Sequence, residues 1–263
     1  MRSLIIAIAM ALTCMAAGAV DAVERLTAKS WLVADQSGTI VKGENTEAVR
    51  SIASITKLFT AMVVLDAHQD LDEHLVFRTY RDPKKSKNKH KEKPNSQEFT
   101  RRQLLDMALV RSDNHAADVL CNNYPGGTTA CITAMQAKAV SMGMMHTSLF
   151  EPTGLDQRNV STARDLILLV RHARSYPVIV EAGSQAKVEI KINKKWLFFK
   201  NTNPMIGKDR RIVVSKTGFI NAAGGCIVLG LDTDKGQRTV VVLGSKNTHT
   251  RIPEAEFIAD MER

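Results

Sequence analysis

Two serine hydroxyls, two lysine amines and one side-chain amide stand in this sequence at spacings that suit nucleophilic chemistry. Ser54-Ile-Thr-Lys57 puts a hydroxyl and an amine at positions i and i+3. On a helix these share a face, so the amine can reach the hydroxyl. A serine hydroxyl is too weakly acidic to attack unaided, but a lysine that loses its proton in a dry, cationic site can serve as its base. Ser54 also opens a helical apolar pattern, and the positive end of a helix favours a developing alkoxide. Ser112-Asp-Asn114 adds a second hydroxyl, able to pass a proton from Lys57 to a leaving amine, and an amide that both donates and accepts. Lys216-Thr217-Gly218 ends the β-branched run Ile212–Ser215 with a cation, a hydroxyl and a bare glycine. That set suits an anionic group with a second backbone laid alongside.

Each motif also has a plain reading. Ser and Asn are common helix N-caps, and Lys216 suits a solvated strand end. Ser-x-x-Lys recurs at Ser86-Lys-Asn-Lys89 and Ser184-Gln-Ala-Lys187, and Ser-x-Asn at Ser86-Lys-Asn88 and Ser245-Lys-Asn247. Context separates them. Ser86 lies in a charged stretch where nothing desolvates a lysine. Ser184 leads into alternating Val188, Ile190 and Ile192, a strand signature that sets serine and lysine on opposite faces. Only Ser54 opens a helical pattern, and Lys-Thr-Gly occurs once.

The elements that must position these residues follow from hydrophobic period. Trp31–Asp35 and Thr39–Lys42, separated by Gln36-Ser-Gly38, read as a hairpin. Ile212–Lys216, Gly225–Leu231 and Thr239–Gly244 read as strands, two of them apolar on consecutive residues as if buried on both faces. Ile252, Ala255, Phe257, Ile258 and Met261 mark a C-terminal helix packed on that sheet. Between lie helical segments after Ser54, on both sides of Ser112, and from Ser161, where Thr162 and Asp165 suit a capping box. The pattern predicts an α/β (α+β) fold: an antiparallel sheet built from both termini, with flanking helices and an inserted helical lobe. The sheet lobe covers about 23–53 and 183–263, and the helical lobe about 54–182. The active site falls at the seam between them.

Composition bounds the setting. Arg2, the apolar stretch Leu4–Ala17 and the small residues before Ala19 and Ala22 have the layout of a cleaved secretory signal over residues 1–22. The stretch is shorter than the ~20 residues a spanning helix needs. Cleavage implies export and at most peripheral membrane contact. The net charge of +9 then favours an anionic wall polymer or surface as partner, rather than nucleic acid. Arg81–Lys93 concentrates seven Lys or Arg against two acids. It reads as a solvated loop, or as a contact for an anionic wall polymer. Cys121 and Cys131 flank a turn-rich loop and suit either a disulfide or two buried thiols, while Cys226 reads as a small core residue.

Taken together, Ser54-x-x-Lys57, Ser112-x-Asn114 and Lys216-Thr-Gly resemble the motif set of the penicillin-recognising active-site serine enzymes. Further segments carry the resemblance over nearly all of the mature chain: Tyr124-Pro-Gly-Gly, Glu151-Pro-Thr-Gly-Leu155, Asn159-Val-Ser-Thr-Ala-Arg-Asp165 and Lys216-Thr-Gly-Phe219-Ile-Asn-Ala-Ala. They look most like the small DD-endopeptidases of the penicillin-binding protein 7 kind. Larger DD-carboxypeptidases carry an added C-terminal β domain and an amphipathic anchor, and neither is expected here.

The resemblance implies that Ser54 attacks a D-alanine carbonyl in a peptidoglycan stem peptide or cross-link. Lys57 takes its proton, and Ser112 shuttles it to the departing amine. It implies that Asn114, Lys216, Thr217 and Gly218 bind substrate, with the backbone N–H groups of Ser54 and Phe219 forming an oxyanion hole. β-Lactam antibiotics are then covalent inhibitors, and no metal or other cofactor is implied. The alternatives are a DD-carboxypeptidase trimming terminal D-Ala, a class A-like β-lactamase using Glu151, and a non-catalytic wall-binding or sensor module.

Overall fold

The computed structural model describes residues 26–79, 95–192 and 195–261. The expected signal segment and the basic stretch Arg81–Lys93 lie outside them. Among the described residues, no helix is long and apolar enough to cross a membrane.

Eleven strands are described: β1 (Ser30–Ala34), β2 (Ile40–Glu44), β3 (Arg50–Ser51), β4 (His74–Thr79), β5 (Asn95–Thr100), β6 (Val160–Ser161), β7 (Lys187–Ile192), β8 (Lys195–Lys200), β9 (Ile212–Ile220), β10 (Gly224–Thr233) and β11 (Gly236–Ser245). The main sheet is antiparallel with order β2-β1-β11-β10-β9, so strands from the two ends of the chain pair at its centre. Trp31 faces Val242, and Val228 faces Lys216. β10 and β11 are buried along most of their length because both faces of the sheet are covered.

Alternation along the strands assigns each face. Trp31, Val33, Ile227, Leu229, Val240 and Val242 pack with Ala255 and Ile258 of the C-terminal helix (Arg251–Asp260). Leu32, Val228, Val241 and Leu243 join the larger core shared with the inserted helices.

Those helices are α1 (Lys57–Asp66), α2 (Arg101–Val110), α3 (Asn114–Asn122), α4 (Gly127–Ser141), α5 (Ala163–Ala173) and α6 (Pro177–Ser184); the C-terminal helix is α7. α1 is buried from Lys57 through Val64, as a helix apolar nearly all round must be. Thr100 and Gln103 form a reciprocal capping box that starts α2. Cys121 and Cys131 are joined as a disulfide with a Cα–Cα distance of 5.4 Å, tying α3 to α4. Closing so short a loop contributes roughly 2–3 kcal/mol.

Three local expectations are corrected. Thr162 does cap α5 through the Asp165 N–H, but the Asp165 carboxylate turns away to accept from the His146 N–H and the Thr147 hydroxyl. Ser184 ends a helix before Lys187 opens β7, so a change of element separates that pair rather than strand alternation. Finally, β9 does not stop at Gly218 but runs to Ile220, with Lys216–Gly218 paired along Cys226–Val228. An interior glycine is needed there because the Ile52–Ser54 backbone lies against the face of β9 where a Cβ would project.

Candidate active site

A 3-10 turn, Ala53–Thr56, leads directly into α1 and carries Ser54 half-exposed at its tip. Ala53 adopts a φ of 47°, left-handed backbone that a residue with a Cβ holds only when its surroundings impose it. Two glycines supply that constraint. A Cβ on Gly154, itself at φ +83°, would sit 2.0 Å from the Ala53 carbonyl oxygen. A Cβ on Gly218 would sit 2.9 Å from the Ser54 nitrogen and 3.0 Å from the Ile52 oxygen. The peptide before Ser54 is therefore gripped from both sides by backbone that only glycine permits.

Lys57 is the first residue of α1 and is fully buried. Its Nζ donates to Ser54 Oγ at 3.0 Å, Asn114 Oδ1 at 2.7 Å and the Thr153 carbonyl at 2.5 Å. Burial lowers its pKa to about 8, against the opposing pull of Glu151, Asp113 and Asp118. Lys216, equally buried, donates to Ser112 Oγ at 2.8 Å and to the Thr217 carbonyl at 2.8 Å. Burial, reinforced by the positive charges of Lys57 and Arg251, holds its pKa well below the ordinary lysine range.

Ser112 lies between α2 and α3 at φ 62°. The N-cap of α3 is Asp113, whose side chain accepts from the Ala116 N–H. Ser112 is thus released from capping, and its hydroxyl meets Lys216 across the seam. Thr217 donates to the Thr202 hydroxyl at 2.6 Å, and Phe219 stands exposed beyond Gly218.

The loop beneath the site is internally locked. The Glu151 carboxylate accepts from the N–H groups of Thr153 and Gly154, the Thr153 hydroxyl and the Asn159 amide. Buried Asn159 also donates to Thr56 Oγ1 at 3.1 Å, and its own carbonyl accepts from the Ile52 N–H at 3.0 Å.

The candidate residues of the three motifs thus come together around the Ser54 turn, the start of α3 and β9. Ser54, Lys57 and Asn114 are linked by hydrogen bonds, as are Ser112 and Lys216. Sequence reasoning missed the Thr153 carbonyl, Thr202 and Arg251, whose Nη1 donates to the Gly218 carbonyl at 2.6 Å. Gly154 carried a signal within Pro-Thr-Gly, since a glycine after such a turn marks left-handed backbone. Arg251 carried none.

Comparison with known proteins identifies the family. The family model described as D-alanyl-D-alanine carboxypeptidase matches residues 16–247. A D-alanyl-D-alanine endopeptidase of Pseudomonas aeruginosa is 39% identical over 236 residues, covering 88% of this chain and 76% of its own. Its Escherichia coli namesake is 39% identical over 219 residues, covering 82% and 70%. Among solved structures, a penicillin-binding protein of Listeria monocytogenes in its cefotaxime-bound form superposes with a TM-score of 0.77 at 27% identity, covering 89% of this chain and 96% of that one. The chain belongs to the D-alanyl-D-alanine carboxypeptidase family of serine DD-peptidases.

Proposed function

We propose that this protein is a periplasmic D-alanyl-D-alanine endopeptidase that opens peptidoglycan cross-links through an acyl-enzyme on Ser54. The observation that carries the reading is the buried Lys57 amine 3.0 Å from the Ser54 hydroxyl, with a second buried lysine holding Ser112 opposite. Neutral Lys57 takes the Ser54 proton as Oγ attacks the D-alanine carbonyl carbon. The oxyanion collects on the N–H groups of Ser54 and Phe219, donors worth ~3 kcal/mol each in such sites. The C–N bond then breaks, and the proton passes from Lys57 through Ser112 to the departing amine. Water, deprotonated by the same lysine, attacks the ester and frees Ser54. Asn114 orients the substrate amide. Lys216 and Thr217 receive the substrate carboxylate, whose charge offsets the cost of a protonated, buried Lys216.

Endopeptidase is preferred to carboxypeptidase because the Pseudomonas and Escherichia relatives both bear that name. The β-lactamase alternative needs a free base near the acyl ester. Glu151 is committed to its own loop by several hydrogen bonds, which argues against that role. β-Lactams would instead acylate Ser54 and leave slowly. Export through a cleaved segment at 1–22 accounts for the disulfide, which persists in oxidising compartments.

Purified cross-linked muropeptide dimers, incubated with the protein and with a Ser54→Ala variant, test the reading. Conversion of dimers to monomers by the unaltered protein alone is expected. Release of terminal D-alanine without loss of dimers makes it a carboxypeptidase, and equal action by both proteins sinks the serine mechanism.

A further inference from the structure

The β7–β8 hairpin presents two unlike faces. Inward, Val188, Ile190 and Phe199 are buried. Outward, the register sets Lys187 beside Lys200, Glu189 beside Phe198 and Lys191 beside Trp196. Trp196 is 53% exposed and Phe198 62%. Two large aromatic rings side by side on one strand face cost solvation free energy and call for an explanation. The lysines do not cover them with a simple charged fringe. Lys187 Nζ lies 6.0 Å from the Phe198 ring centroid and Lys191 Nζ 5.8 Å from that of Trp196, so ring and cation form one surface.

The platform is rigidly mounted. The Asn201 N–H donates to the Ala186 carbonyl at 2.9 Å and the Thr202 N–H to the Val110 carbonyl at 3.0 Å. The Arg111 guanidinium packs 5.1 Å from the Phe199 ring centroid. Thr202 in turn accepts from Thr217, so the base of the hairpin meets the substrate edge of the site. Six-residue strands give it a reach of about 20 Å.

We propose that this outward face docks the glycan chain of peptidoglycan, as a site distinct from the one around Ser54. The identity of the polymer rests on the peptidase reading above. A pyranose ring offers an apolar C–H face to Trp196 and Phe198, and hydroxyl donors to the carboxylate of Glu189. Lys187 is ion-paired with Glu189, which leaves Lys191 and Lys200 to meet anionic groups along the polymer. A bilayer fits less well, because the Glu189–Lys187 ion pair stands in the face and inserting the rings would desolvate it. A second copy of the chain fits less well too, since each copy carries a net charge of +9 and brings the same lysines.

The test uses the full chain with Ser54→Ala, so that the polymer is not cut, sedimented with purified sacculi and with phosphatidylglycerol vesicles. Adding Trp196→Ala and Phe198→Ala should weaken sacculus binding about tenfold. Soluble glycan strands freed of stem peptides should compete with the intact hairpin. With Ser54 restored, the hairpin variant should take up labelled penicillin and cleave muropeptide dimers at the unaltered rate. A Lys191→Glu, Lys200→Glu variant should bind sacculi more weakly with the same activities retained. Unchanged sacculus binding overturns the proposal. So does binding to vesicles that is lost with the rings while glycan strands fail to compete, and so does a parallel fall in penicillin uptake. If the unaltered protein neither takes up penicillin nor cuts dimers, the peptidase reading fails instead, and the glycan competition still decides what the hairpin binds.

Discussion

Lys57, the proposed base, stands under two opposing influences: burial expels its proton, and Glu151, Asp113 and Asp118 draw it back. The balance at about 8 sets a direction for activity. A base must be neutral to act, so the rate of acylation should rise with pH through about 8 and level off above it. Stopped-flow measurement with a chromogenic cephalosporin from acid to alkaline pH checks this; a flat profile would refute Lys57 as base. Ser112 supplies a second expectation. Its φ of 62° favours glycine, while its hydroxyl is the proposed proton relay. Ser112→Ala and Ser112→Gly both remove the hydroxyl, and each should lower turnover about 10²–10⁴-fold. Only the glycine variant relieves the backbone, so thermal unfolding should find it more stable than the alanine variant by about 1 kcal/mol.

Elements decide what single residues cannot. Ser54 and Lys57 were legible in the sequence because both stand on one local turn, where spacing alone brings them together. The meeting of Ser112 with Lys216 was legible only as an ordered set of motifs, since helix junction and strand lie far apart in the chain. Two features were not legible. β9 continues past Gly218, whose missing Cβ leaves room for the Ile52–Ser54 backbone against the face of the strand, and a glycine read as a strand end does not anticipate that. Arg251 reaches Gly218 from the C-terminal helix, a contact set by helix placement rather than by local pattern. The Glu151–Asn159 loop gives the sharpest element-scale prediction. Gly154→Ala places a methyl on the Ala53 carbonyl, so the nucleophile turn must move. Displacement by about 1 Å is enough to reduce acylation about 10²-fold. The variant's circular dichroism should stay native, and full-rate acylation would show that the glycine contact does not position Ser54.

At the scale of the whole molecule, the antiparallel sheet built from both termini was foreseen because its strands are long, β-branched and bounded by turn residues. The buried faces of β10 and β11 followed from their unbroken apolar runs, and the C-terminal helix from its period. Packing on the inner face of the sheet then brings Lys57 to Ser54 and Asn114, and Ser112 to Lys216. That assembly brings together residues near 53, 154 and 218, separations that make the site slow to form relative to its local helices. During refolding from denaturant with the disulfide intact, uptake of fluorescent penicillin should lag behind recovery of helical circular dichroism. Simultaneous recovery would mean that the site assembles with the local structure.

The two glycines flanking the Ala53–Ser54 peptide thereby act as a safety catch. A chain not yet fully folded, or one opened by damage, lacks one jaw of the grip and leaves Ser54, the proposed nucleophile, unplaced. An enzyme that cuts the polymer keeping its cell intact becomes dangerous only once it is whole.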